Sequence, residues 1–439
     1  MKATPLTPLE PWIRRKMGGR SGAFEPLRRV DLEAYQLAAL RETLVWVKQR
    51  NAFYRAHLAT APATVETLED WNMIPFLTAD DLRAEPQRLV CVSQGDIARV
   101  VTLDTSGTMG QPKRLYFTAE EQELTVDFFQ VGMSTFTVPG DRVVILLPYA
   151  RPGSVGNLLA LALARMGVEG ICHGPVSDIA ETLALLETTR ANGLVGIPAQ
   201  VLALARASQP KGGFAPRFAL LTTDHVPAAI VSAVEGAWGC TVYNHYGMTE
   251  MGLGGGVDCA ARRGYHLREA DLYVEIVDVA GKPVAPGEYG EIVFTTLTRR
   301  GMPLLRYRTG DWGRFLPDSC PCGTVLKTLE HVSCRLADRV LVGTEVLSLA
   351  ALSEALFALD GVVDFTATLD RSAGQNVLLI RVVAVTEVPA RAVLLALPVI
   401  ANAIAIEGLR LEVTMVPVAP EEGYVPMPAK RHFRVVGSG

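Results

Sequence analysis

Arg142-Val143-Val144-Ile145-Leu146-Leu147 sets five apolar residues in a row behind one arginine. A run without polar alternation suits a strand buried on both faces. The next hundred residues keep the same texture. Residues 155–166 read as an Ala/Leu-rich helix, 170–173 as strand, 178–189 as helix and 193–197 as strand. Then come helix 201–207, strand 218–222, helix 228–238 and strand 241–244. Short apolar strands alternating with helices predict a mostly parallel α/β sheet. In such sheets ligands sit beyond the carboxyl ends of the strands.

Upstream, Leu32, Tyr35, Leu40, Leu44, Val47 and Tyr54 recur at helical spacing and predict a helix over 28–60. Residues 87–103 read as strand and turn. A helix over 120–135 should start at Thr118 and Glu121, which have capping-box spacing. Downstream the texture changes near 265. Stretches 272–278, 290–296 and 311–316 read as β-rich, with turns at 280–283 and 286–288. Past 335 a small α+β unit is expected: helix 346–358, strands 365–369 and 377–385, helix 389–397 and strand 411–416.

The chain has 439 residues, of which 49% are hydrophobic and 20% charged, enough for a large core and for more than one domain. A net charge of −4 supplies no basic field to hold nucleic acid or an anionic membrane. The N-terminal residues hold no apolar core of signal-peptide length. Pro398 and Asn402 interrupt the greasiest stretch, 393–406, which falls short of the roughly 18 apolar residues a spanning helix needs. A soluble, cytoplasmic protein is expected. Seven cysteines, an odd number, argue for metal binding or plain burial over a disulfide framework.

Three short stretches carry candidate chemistry. Thr105-Ser106-Gly107-Thr108-Met109-Gly110-Gln111-Pro112-Lys113 is rich in Gly and hydroxyl residues. Its backbone N–H groups can approach an anion, and Lys113 adds a charge for phosphate. The order is not that of a Walker loop, and a plain surface loop is the other reading. Tyr246-Gly247-Met248-Thr249-Glu250 comes directly after a strand. Glu250 can hold Mg²⁺ and Thr249 can donate to a phosphate; a strand-end turn with an exposed acid is the alternative. In Tyr307-Arg308-Thr309-Gly310-Asp311, a carboxylate after a Gly turn can accept from two ribose hydroxyls, or the stretch is a simple hairpin turn.

Together, in this order and at these separations, the three stretches resemble the adenylate-forming enzymes, the superfamily of acyl-CoA synthetases, peptide-synthetase adenylation domains and luciferases. Within it the chain looks most like the phenylacetate–coenzyme A ligase family. Phe24-Glu25-Pro26-Leu27, Asn51-Ala52-Phe53-Tyr54-Arg55 and the run from Gly301 to Asp311 extend the likeness over nearly the whole chain. The resemblance implies an α/β fold: a large N-terminal adenylation domain, 1–334, with mixed and parallel sheets and a β-rich subdomain, and a small α+β lid, 335–439. It implies a two-step reaction. A carboxylic acid, aryl or hydrophobic, attacks the α-phosphate of ATP to give an acyl-adenylate and pyrophosphate, and a thiol, usually coenzyme A, then takes the acyl group. No nucleic acid or membrane partner is implied, and a homodimer is compatible with it.

Carried over by position, Thr105, Ser106, Gly107, Thr108, Gly110 and Lys113 would cradle the triphosphate. Glu250 would hold Mg²⁺, Thr249 would contact the α-phosphate and Asp311 the ribose. Thr223, Asp224 and His225, with Asn244, His245, Tyr246 and Gly247, would line the adenine side. Tyr149, Gly252 and Gly254 would bound the acid pocket, although a glycine-rich packing turn fits the same residues. Cys259, His266, Cys320 and Cys322 make a Cys₃His set for a structural Zn²⁺, against buried free thiols, with Cys334 as a substitute ligand.

The chain departs from the family at two places. Its hinge reads Cys334-Arg335-Leu336-Ala337-Asp338, with Arg335 matching the arginine that approaches the nucleotide and Ala337 replacing the usual pivot aspartate. Near the end, either Lys430 or Arg431 falls at the position of the family's adenylation lysine, and Lys430 is the expected one. These departures leave two other outcomes open: transfer to a carrier-protein arm or protein thiol, or a nucleotide-binding relative with impaired chemistry.

Overall fold

The computed structural model describes residues 4–18, 26–103, 112–208, 214–372, 374–418, 424–427 and 430–437. The chain forms two compact units, each assembled from three segments. The first comprises Met1–Pro139, Arg151–Gly167 and His245–Val332; the second comprises Gly140–Ala150, Val168–Asn244 and Ser333–Gly439.

The second unit holds the parallel sheet that the sequence pattern predicts. Its strands Glu169–Cys172, Arg142–Ile145, Gly193–Gly196 and Phe218–Leu221 lie side by side in that order, and residues 241–244 pair beyond the last, all parallel. Helices Ile179–Thr188, Pro198–Ala207 and Ala228–Trp238 connect and cover them. Gly193 is required where it stands, since a Cβ there would meet the Phe218 ring at 2.3 Å. The same unit contains a mixed sheet in the order Arg410–Pro417, Val377–Ala384, Val362–Asp370, Phe433–Val436, backed by helix Leu349–Phe357. One hydrophobic core runs through both sheets, from Val144 and Leu194 to Phe365 and Ile380. Polar ties reinforce it. Helix Ala228–Trp238 has no side-chain cap of its own, and the Glu354 carboxylate accepts from its first N–H groups, Ala228 at 2.7 Å and Ala229 at 3.0 Å.

The first unit is built around an antiparallel hairpin, Ile97–Leu103 with Lys113–Thr118. Helix Ala119–Met133 comes immediately after it and packs on helix Val155–Ala164. Thr118 and Glu121 form the expected capping box. Residues His245 and Tyr246 end a strand and pair with Gly256–Asp258, which pairs with Tyr265–Leu267 and, through it, with Thr328–Leu329. A second antiparallel set, Leu272–Val277, Gly290–Thr296 and Tyr307–Gly313, supplies the β-rich part. Among the described residues no helix is long and apolar enough to cross a membrane.

Several elements differ from the sequence expectation, each for a local reason. The 28–60 helix is two, Arg29–Arg50 and Ala52–His57, because Asn51 turns extended. Its side chain caps the second helix at Tyr54 N–H and donates to the carbonyls of Arg88 and Val90. The strand expected at 311–316 runs over Tyr307–Gly313 instead. Gly310, at φ +74°, lies inside it where the pairing register shifts, so Asp311 sits on a strand and not after a turn. The 346–358 helix starts at Leu349, because Glu345–Ser348 pairs with Arg339–Val342 and Ser348 caps the helix. The apolar stretch near 400 forms a separate helix, Pro398–Glu407, with proline in its first turn.

The buried pair Arg306–Glu275 (3.0 Å) pins the β-rich part of the first unit. Arg306 is 1% exposed, donates to the Ile74 carbonyl at 2.9 Å and lies 4.1 Å from the Phe76 ring. Burial outweighs the pairing and holds the Glu275 carboxyl above its ordinary range. Arg306→Ala strands Glu275 and the backbone carbonyls of Asn72, Ile74 and Gly281. It should cost about 3–5 kcal/mol of stability, read as a lower midpoint in urea unfolding.

Candidate active site

In the first unit the strand ending at Tyr246 runs into a sharp turn and one turn of 3₁₀ helix, Thr249–Met251. Gly247 permits the turn, since a Cβ there would lie 2.3 Å from the Leu253 carbonyl. Leu253 is held at φ +69°, a strained conformation for a branched residue. This geometry buries Glu250 to 4% exposure and turns its carboxylate to Lys113, the last residue of the candidate phosphate stretch. Tyr307 donates its hydroxyl to the same carboxylate at 3.3 Å. Burial and the Glu250 charge push the Tyr307 phenol up, so it stays a donor. Arg299 holds the Glu250 backbone carbonyl at 2.9 Å.

A second pair lies in the same unit. Tyr246 donates to Asp311 at 2.9 Å, and both are buried. The Tyr246 ring stacks on Tyr265 with centroids 5.6 Å apart. The structure thus joins Lys113 to Glu250 and Tyr246 to Asp311, residues taken from three separate motifs. Thr105, Ser106, Gly107, Thr108 and Gly110 lie outside the described residues.

Thr249 lines a pocket of about 160 Å³ with apolar walls from Val101, Phe117, Leu158 and Leu253. Of the two readings of Gly252 and Gly254, room for a substrate or a packing turn, their neighbours favour the packing turn. The Phe128 ring fills the space beside Gly254, 2.5 Å from where a Cβ would stand, and Gly252, at φ +76°, backs onto Arg268 and Thr125. His245 is likewise drawn into packing, its ring 6.2 Å from Phe128 and 6.1 Å from Phe129.

The second unit holds the other expected residues. Thr223 is at φ +77°, a further strained position. Asp224 accepts from His225 N–H at 2.9 Å, and Arg431 lies 3.5 Å from its carboxylate. The Arg431 guanidinium also lies 4.6 Å from the Phe357 ring and 5.5 Å from Phe365. Arg431 is therefore built into this unit's packing. Lys430 and Arg335 are half-buried, and Asn244 is buried. Tyr149 is exposed, with its ring against Gly174. Asp338, the retained hinge aspartate, accepts from Phe433 N–H at 3.2 Å.

The family model described as "AMP-binding enzyme" matches residues 39–297. The chain belongs to the AMP-binding enzyme family. It is 30% identical to a phenylacetate-coenzyme A ligase of Thermus thermophilus over 73% of this chain and 74% of that protein. A second phenylacetate-coenzyme A ligase, from Escherichia coli, is 25% identical over 71% and 73%. Among solved structures, 2-hydroxyisobutyryl-CoA ligase in its postadenylation state superposes with a TM-score of 0.79. That likeness covers 94% of this chain and 90% of that one at 21% identity, and it shows the fold. The sequence resemblance thus holds at the level of family and fold class.

Away from the turn, this AMP-binding enzyme carries the cysteine cluster that its sequence predicts. The ligand atoms of Cys259, His266, Cys320 and Cys322 lie within 4.8 Å of one another, all buried. The Cys259 and Cys320 sulfurs are 3.6 Å apart, and Cys322 Sγ is 3.4 Å from His266 Nε2. A tetrahedron with 2.3 Å metal–sulfur bonds has edges of about 3.8 Å, so the donors match in kind and spacing. Cys334 is outside the cluster; its thiol faces the Arg335 carbonyl in the other unit. Sequence reasoning missed Arg299, for which it offers no local signal. It also missed the role of Tyr307, which lay in a quoted motif but was passed over for Asp311.

Burial, and then the neighbouring Arg268 charge, lower His245 to about 4. An unfolded imidazole takes its proton near 6.5, so the unfolded chain binds more protons between those values. Stability should fall as pH drops from about 6.5 towards 4. His245→Gln should flatten that part of the curve, measured as urea midpoints across the range.

Proposed function

We propose that the protein activates a carboxylic acid with ATP as an acyl-adenylate and passes the acyl group to coenzyme A, releasing AMP and pyrophosphate. The observation that carries this reading is the Lys113–Glu250–Tyr307 cluster, set beside Tyr246–Asp311 in a chain of the AMP-binding family. The named relatives are phenylacetate-coenzyme A ligases, which supports the reading.

Adenylation at phosphorus needs positioning and charge neutralisation more than covalent help. Lys113 would lay its ammonium on the phosphates. Glu250 already faces a cation, so its carboxylate suits Mg²⁺, which when bound neutralises phosphate charge. Tyr307 and Arg299 hold Glu250 in place, one at the side chain and one at the backbone. Thr249 would donate to the α-phosphate oxygen. Asp311, oriented by Tyr246, would accept from the ribose hydroxyls. Thr223, Asp224, His225 and Asn244 are proposed for the adenine side. Lys430 is proposed for the charge that steadies the transition state, by its place near the end of the chain, and Arg335 for the hinge arginine.

Cys259, His266, Cys320 and Cys322 would hold a structural Zn²⁺. All four positions are protein donors, leaving none open for catalysis. None of the seven cysteines is in a disulfide, which suits the reducing cytoplasm.

Glu250→Gln keeps the shape and removes the charge. It should cut acid-dependent pyrophosphate release by about 100-fold or more while the unfolding midpoint stays near that of the parent. Near-normal release would remove the proposed Mg²⁺ role. Metal analysis of protein kept from chelators should find about one equivalent of zinc, and Cys322→Ala should lose it together with thermal stability. Zinc-free parent protein would dismiss the site.

A further inference from the structure

The pocket beside Thr249 has a size and a polar corner that bear on the acid. Its volume of about 160 Å³ is close to the ~150 Å³ of an engineered apolar cavity that takes a benzene ring. One ring, or a chain of similar bulk, therefore fills it. Most of the lining is apolar, from Val101, Phe117, Leu158 and Leu253. The hydroxyl residues Thr125, Ser154 and Thr249 also line the wall, and with Gln122 stands Arg99, the one charged residue of the lining.

These two side chains converge on one point of the wall. A Cβ placed on Gly153 would lie 2.2 Å from the Gln122 amide nitrogen and 3.3 Å from Arg99 Cδ. Gly153 holds φ +74°, so the backbone there is shaped to let both approach. Among the described residues neither side chain has a hydrogen-bond or ion-pair partner, and the Arg99 Nε is buried. A buried donor without an acceptor is costly, and an apolar pocket that keeps a few polar groups uses them to orient its ligand.

The corner is also set back from the reacting end. Arg99 and Val101 point to one side of strand Ile97–Leu103, and Arg99 stands four residues before Leu103, which pairs with Lys113. At about 3.3 Å per residue this is roughly 13 Å, a span that a one-ring acid and an arginine side chain fill together. Thr249, next to Glu250, marks the wall nearer the chemistry.

We infer that the acid this enzyme activates carries a second hydrogen-bond acceptor, an oxyanion above all, at the end remote from its reacting carboxyl, and that Arg99 and Gln122 read it. This rests on the proposed adenylation at Thr249 and Glu250. Arg99 is a specificity residue and takes no part in bond making.

The test measures ATP–pyrophosphate exchange with matched acids: benzoate against 4-carboxybenzoate, and phenylacetate against 4-hydroxyphenylacetate. In each pair the acceptor-bearing acid should have a kcat/KM higher by about tenfold or more, the worth of a hydrogen bond to a charged group. Arg99→Met should collapse that ratio towards one, and Arg99→Lys should restore part of it. Thermal unfolding of both variants checks that they fold, and calorimetric titration with 4-carboxybenzoate should show the same order of binding. Equal or better use of the plain acids by the parent enzyme overturns the inference and leaves adenylation standing, as does a ratio that Arg99→Met does not move. Exchange with no acid of either pair removes the adenylation reading and this inference with it.

Discussion

The first unit depends on one buried ion pair, Glu121 with Arg299. Their charged atoms are 3.7 Å apart and both residues are buried. Neither is satisfied by the other alone. Glu121 accepts from Thr118 N–H at 3.0 Å, Arg300 N–H at 2.9 Å and Gly301 N–H at 2.7 Å. Arg299 donates to the carbonyls of Glu250 and Tyr116 and lies 4.4 Å from the Phe117 ring. Two charges thus tie four pieces of chain: the strand that leaves the phosphate stretch, the start of helix Ala119–Met133, the turn that carries Glu250, and the loop at 299–301. A buried pair of this kind contributes less to net stability than its charge suggests, because desolvation offsets attraction. Its worth here is geometric. It fixes where the Glu250 backbone stands before any ligand arrives.

That placement makes the proposed chemistry economical in moving parts. Glu250 is buried, yet it faces Lys113 and Tyr307, so its negative charge is compensated within the protein. A cationic ligand on Glu250 and an anionic one on Lys113 would together replace a single internal ion pair. Asp311 is treated in the same way, with Tyr246 supplying a donor to a carboxylate that is 3% exposed. Preorganised polar groups of this kind need little rearrangement at the moment of reaction.

The sequence disclosed what is periodic or contiguous. The parallel sheet was legible because each strand is a short apolar run between helical patterns, and the Thr118–Glu121 cap because its spacing is local. The sequence spacing alone left Cys259, His266, Cys320 and Cys322 balanced against buried free thiols; the fold brings their ligand atoms within 4.8 Å of one another. What stayed hidden depends on distant partners. Glu121 was read as a cap, and nothing at 299 announces the arginine that meets it. Gly252 and Gly254 fitted open room or a packing turn equally well, and the distant partners Arg268 and Phe128 are what favour packing. His245, expected on the adenine side, packs beside Phe128 and Phe129, which no local pattern foretells. The bulge at Gly310 moved Asp311 from a turn onto a strand, a change that only the register with the neighbouring strand defines. Arg431, weighed as a catalytic cation from its place near the end, is committed to Asp224 and two aromatic rings.

The proposed reaction joins an acid to AMP at this site and hands the acyl group to a thiol. The most direct measurement is pyrophosphate release by the intact protein with ATP and Mg²⁺ across a panel of aryl and medium-chain acids, each with and without coenzyme A. Release should require one class of acid and rise when coenzyme A is added, with AMP and an acyl-CoA as products. ATP binding without acid-dependent release for any member of the panel would contradict it.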